Sequence, residues 1–238
     1  MNKQAPGNIL RRMLPAAQPR PTGEEPRREI EARWPVTGAL LIVVLLYASL
    51  PDRLTFGPPW LAPIVEFVLL VPLLLTQPHW HPQAGWRWQR VVAVTLIGVI
   101  NVSNLASLVL LVDTLLHGFK ATGAELILEA AKIWLTNIVV FALWYWELDR
   151  GGPRARHSEQ AGPPDFLFPQ MTSPEVAPAH WMPIFVDYFY VAFTNATAFS
   201  PTDTLPLTPP AKLLMSAQSL ISLLTLALVA ARAVNILT

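Results

Sequence analysis

AELILEAAKIWLTNIVVFALWYW, running from Ala124 to Trp146, is the stretch whose reading decides the fold. It exceeds the about 20 mostly apolar residues with which an α-helix crosses roughly 30 Å of hydrocarbon. Its first half carries Glu125, Glu129 and Lys132 at i, i+4 and i+7, which places all three on one helical face. Glu129 and Lys132 predict a paired interior charge. The alternative is that Glu125 and Glu129 sit at the outer interface, where hydrated charges cost little.

Outward from this helix, further apolar runs are separated by clusters of Pro and charge. Toward the N-terminus they span Pro35 to Leu50, Trp60 to Thr76 and Val91 to Leu116, and the closing run spans Ala211 to Leu237. Between them, Pro183 to Phe199 is apolar but studded with Asp187, Tyr188, Tyr190, Thr194, Asn195 and Thr197, so it reads as a full span or as a shallow re-entrant helix. The expectation is an all-α polytopic membrane bundle of about six membrane segments. Residues 1–34 read as a disordered, retained basic tail, 35–149 as a four-helix transmembrane region, 150–182 as a Pro/Gly-rich linker and 183–238 as a helix-turn-helix segment.

Composition agrees. The 238 residues are 53% hydrophobic and 14% charged, against roughly 25% charged in soluble domains. A formal net charge of +1 gives no field to attract nucleic acid, so the lipid bilayer is the expected partner. The absence of cysteine removes disulfides and thiolate chemistry. Arg87, Arg90, Arg150, Arg154 and Arg156 share one side with the basic tail, while the opposite connections hold Arg53 and Lys120, which predicts a cytoplasmic N-terminus. Trp60, Trp80, Trp86, Trp88, Trp144 and Trp146 fall near span ends, as interfacial anchors do.

Enzyme signatures are absent: the sequence has no G-x-S-x-G, HExxH, Walker or dinucleotide-binding glycine pattern, and no cofactor is expected. His79 and His81 lack a third ligand, so no metal is expected either. Glu147 and Asp149, at the mouth of the Ala124 run, read as acids at a helix end entering water. Asn101, Ser103, Asn104 and Ser107 read as interhelical hydrogen-bonding residues. Glu66, midway through its run, is the sharper candidate, either a tie to an arginine or amide or part of an ion or proton path.

DYFYVAFTNATAFSPTDTLPLTPPAKLLMSAQSLISLLTLALVAARAVNIL, from Asp187 to Leu237, sets a short aromatic helix before a Ser200-Pro201-Thr202-Asp203 turn and a long closing helix. That order resembles the pore module of two-helix potassium channels, with Thr194, Thr197 and Asp203 in comparable places. The resemblance implies a path for a monovalent cation in a homo-oligomer. Phe199-Ser200-Pro201-Thr202 has no glycine to turn backbone carbonyls inward, so side-chain hydroxyls and carboxylates would have to line the path. From Pro35 onward, and most strongly at FALWYWELDRGGP (Phe141 to Pro153), the chain also resembles a group of uncharacterised bacterial inner-membrane proteins, which implies a multi-pass location in the cell inner membrane.

The expected function is channel-like ion permeation, with Asn195, Thr197, Ser200, Thr202 and Asp203 lining the path and Asp187, Glu66, Glu129 and Lys132 as further candidates. The alternatives are a non-conducting structural or signalling protein and an intramembrane enzyme in which Glu66, Glu129 and Asp187 converge.

Overall fold

The structure, a computed structural model, describes residues 34–55, 57–58, 60–75, 86–117, 122–158, 161–173, 175–179, 181–199 and 203–237. The expected tail (1–33), His79, His81, Lys120, Ser200 and Thr202 lie outside the described residues.

Apolar runs become helices because a buried backbone has to satisfy its own N–H and C=O groups. In chain order these are α1 (Trp34–Ala48), α2 (Leu61–Leu75), α3 (Trp86–His117) and α4 (Gly123–Leu148). Short α5 (Pro153–Arg156) and α6 (Pro169–Thr172) precede α7 (Phe185–Ala198) and α8 (Pro209–Leu237). Three helices are long and apolar enough to cross a membrane, over Trp88–Leu116, Gly123–Gly151 and Pro209–Arg232. At 15 residues each, α1 and α2 are about 22 Å long, and the 14 residues of α7 reach about 21 Å.

The start of α4 is fixed by reciprocal capping. The Thr122 hydroxyl accepts from the Glu125 N–H at 3.3 Å, and the Glu125 carboxylate accepts from the Thr122 N–H at 2.9 Å. Its end is equally definite. Arg150, Gly151 and Gly152 all have positive φ, and a Cβ on Gly152 would stand 3.1 Å from the Glu147 carboxylate. The chain therefore doubles back at once, and Pro153 opens α5 at a position where a missing N–H costs nothing.

α4 is the hub, packed against α1, α3, α7 and α8, whereas α2 rests on α1 and α3. One core cluster joins Val43, Ile100, Phe141 and Tyr145 to Phe166, Tyr188 and Met215. A second gathers Tyr47, Leu50, Leu54, Leu108, Leu111, Leu126, Ala130 and Ile133 around the N-terminal half of α4.

The segment after α4, expected to be a linker, is instead folded onto the bundle. Phe166 and Phe168 are buried against Tyr145 and Tyr188, with ring centroids 5.1 and 5.4 Å apart for the Phe166–Tyr145 and Phe168–Tyr188 pairs. Phe166–Leu167 (β1) also pairs antiparallel with Leu205–Pro206 (β2), so the fold is mostly rather than wholly helical. Burying two phenylalanine rings offsets the entropy of ordering such a Pro-rich connection.

The strand pairing decides how α7 and α8 enter. Asp165, adjoining β1, donates its N–H to the Asp149 carboxylate at 2.8 Å, and its own carbonyl accepts from Leu207 N–H at 2.8 Å. α8 thus begins beside the C-terminal end of α4. α7 begins there too, with Phe185 edge-on to Trp146 and Tyr188 bonded to Asp149. Between these two starts the chain runs down α7 and comes back to the same end.

Candidate functional site

The C-terminal end of α4 carries a buried ionic knot. Asp149 and Arg156 are both fully enclosed, seven residues apart and brought together by the turn at Gly151-Gly152. Arg156 Nη1 donates to Tyr188 Oη at 2.9 Å and to the carbonyls of Trp146 and Asp149 at 3.2 and 3.4 Å. Tyr188 in turn donates to Asp149 Oδ2 at 2.6 Å, and the guanidinium lies 5.0 Å from the Tyr188 ring centroid. Asp165 extends the knot, accepting from the Arg150 N–H at 3.0 Å and from the Thr208 hydroxyl at 2.5 Å. A buried ion pair repays its desolvation only through further hydrogen bonds, and here they are made at both Asp149 oxygens and at Arg156 Nη1.

This overturns two readings of the sequence. Asp149 and Glu147 do not enter water: both are buried, and Glu147 faces Arg90 across 3.9 Å. Arg156 is not a loop charge but the cation inside the knot.

One layer further in, amides and hydroxyls tie α4, α7 and α8 together. Gln218 Oε1 accepts from Tyr145 Oη at 2.5 Å and from Asn195 Nδ2 at 2.8 Å, while its own Nε2 donates to the Ala192 carbonyl at 2.8 Å. Asn195 Nδ2 also donates to the Met215 carbonyl at 2.9 Å, and Asn195 Oδ1 accepts from Ser219 at 3.1 Å. Deeper again, Asn137 Nδ2 donates to Ser222 Oγ at 2.9 Å. Away from water these bonds brace the three helices and fix α7 against α4 and α8.

The sequence candidates therefore separate. Asn195 lies inside the brace. Asp187 accepts from the Ile184 N–H at 2.8 Å and so caps the start of α7. On the outward side of α7, Thr194 and Thr197 return their hydroxyls to the carbonyls of Tyr190 and Phe193. Asp203 is exposed, in the return from α7 to β2.

At the opposite end of α4, Glu129 is bonded to Arg53 of the 52–54 turn rather than to Lys132. Lys132 instead donates to the Ser49 carbonyl at 2.7 Å, closing the end of α1. Glu129 is twenty residues from Asp149, roughly 30 Å along the helix, so Glu129 and the α7 start beside Asp149 do not share a site. Glu66 is fully enclosed on α2, with neither carboxylate oxygen hydrogen-bonded among the described residues. Among the described residues, no three His, Asp or Glu side chains cluster as metal ligands would.

Sequence reasoning missed Arg156, Tyr188, Tyr145 and Gln218 as organising residues. Gln218, an amide in the middle of an otherwise apolar run, was a readable signal. Asp149 and Arg156 flanking a Gly-Gly pair became a pair only once the turn was known. A scan against protein-family models, a search of curated proteins and a search of solved structures each find no match.

Proposed function

We propose that this chain is a multi-pass membrane protein of the channel-like permeation class, in which α7 dips into the bilayer and the turn after it lines a cation path in a homo-oligomer. The observation that supports the reading is that α7 and α8 both start at the Asp149–Asp165 end of α4, an arrangement that suits a helix entering part-way and returning. Non-helical backbone at membrane depth is stable only where it packs on protein or lines water.

The electrostatics point the same way. The last turn of α7 has no basic residue, and a helix C-terminus carries about half a negative charge. With Asp203 in the return, the turn favours a cation over an anion. Asn195 then serves as the anchor of α7 rather than as part of the path, which falls to Thr197, Ser200, Thr202 and Asp203. In this topology α1, α2, α3, α4 and α8 cross the inner membrane and α7 does not. With a cytoplasmic N-terminus, the C-terminus then faces the opposite side.

A second reading, a non-conducting structural protein, is favoured by one observation: Asp187, Asn195, Glu129 and Lys132 are all bonded within a single chain. Ion flux into liposomes separates the two. The permeation reading expects potassium or sodium flux that falls several-fold in Asp203→Asn while oligomer size and melting temperature stay unchanged. A folded oligomer passing no ion under voltage or a pH gradient would leave the structural reading standing. Because the native chain has no cysteine, single cysteines at Arg154, Lys212 and Thr238 report the topology by labelling from either side. The re-entrant arrangement expects the first two to label from one side and the third from the other.

A further inference from the structure

Glu66 is an acid enclosed within the bundle whose two carboxylate oxygens both lack a hydrogen-bond partner among the described residues. Its position follows from Ala62, one turn earlier on the same face of α2. Ala62 packs against the cluster of Tyr47, Leu108, Leu111 and Ala130, contributed by α1, α3 and α4. Glu66 thus lies on the inward side of α2, one turn from an apolar contact.

The described cations at that end of the bundle are engaged elsewhere. Arg53 is bonded to Glu129, and Lys132 donates to the Ser49 carbonyl. The other titratable groups on α1 and α3, the helices packed against α2, are Tyr47, which is buried, Asp113, which is exposed, Arg90, which faces Glu147, and Arg87 and His117 at the two ends of α3. Asn104 of α3 is buried and leaves its amide oxygen without a donor among the described residues. An amide oxygen left without a donor is one that a carboxylic acid, but not a carboxylate, could answer. A neutral carboxylic acid brings its own O–H, whereas an unpaired carboxylate in such surroundings is strongly disfavoured.

We propose that Glu66 is a proton-binding site, a carboxyl that holds and exchanges a proton inside the α1–α2–α3 contact, separate from the α7 turn. This stands independently of the permeation reading, because it rests on none of the residues of α7.

The test is labelling of the purified full-length chain in liposomes with N,N′-dicyclohexylcarbodiimide, followed by peptide mapping. The carboxyl oxygen adds to the central carbodiimide carbon and the acid proton passes to a carbodiimide nitrogen. The O-acylisourea then rearranges to a stable N-acylurea, with nothing lost. An apolar carbodiimide reaches a bilayer carboxyl, and the reaction consumes the proton that the site is proposed to hold. The expected result is an adduct at Glu66 at about pH 6 that declines toward about tenfold per pH unit once the acid form becomes the minor species. Sodium or potassium chloride should leave it unchanged.

No adduct at Glu66 while other carboxyls react, or an adduct indifferent to pH, overturns the proposal. Protection by sodium or potassium also overturns it, by making the site one for a metal cation. Glu66→Gln, the neutral isostere, should lose the adduct and keep its melting temperature in detergent. A loss of folding in that variant would mean that the ionised carboxylate is bound to a cation, again overturning the proposal.

Discussion

Asp149 and Glu66 are both acids buried in one bundle, and the bundle treats them in opposite ways. Asp149 receives a phenol O–H, a backbone N–H and a guanidinium drawn from three separate stretches of chain. Glu66 receives no hydrogen bond among the described residues. The lesson is that burial alone does not mark a functional acid in a membrane bundle: a fully answered carboxylate holds the fold together, and an unanswered one is available for chemistry.

Breaking the answered side should have the largest effect. Asp149→Ala leaves Arg156 enclosed without its counter-charge, and about 3–5 kcal/mol of stability should be lost, read as unfolding in mixed detergent micelles. If Asp149→Ala unfolds normally, the knot is not what secures the start of α7.

The brace beneath the knot should matter less. Gln218→Leu removes acceptors from Tyr145 and Asn195 and a donor from the Ala192 carbonyl, which should cost about 1–3 kcal/mol. It should also loosen α7, read as faster hydrogen exchange across residues 188–198 than across α3. Equal exchange in both helices would mean that α7 is held by its apolar face alone.

The smallest effect sharpens the comparison from outside. Among the described residues Thr197 bonds only to carbonyls of its own helix, at Phe193 and Thr194, so Thr197→Val should change stability by no more than about 0.5 kcal/mol. Under the permeation reading the same variant lowers cation flux, and the two measurements together separate a path residue from a packing residue.

How far each part was legible follows from the range of the interaction involved. The helices α1, α3, α4 and α8 follow from hydrophobic runs, because these are relations between near neighbours in the chain, whereas Asp187, read as a path candidate, turned out to bond the Ile184 N–H at the start of α7. The pairing of Glu129 was legible as a need and misassigned as to partner. Lys132 is on the same face, but Arg53, 76 residues away, is the residue that meets it.

Sequence alone thus determined that this is a chain of apolar helices suited to a bilayer, with a short polar-studded segment before the last one. Tertiary structure decided which polar groups are structural. The Gly151-Gly152 turn brings Arg156 to Asp149, and Tyr188 reaches both only because the Pro-rich connection after Arg156 folds onto α4 with Phe166 and Phe168 buried. Hydrophobic periodicity is a local property that a sequence displays directly, whereas the satisfaction of a buried charge depends on which distant elements the core brings together.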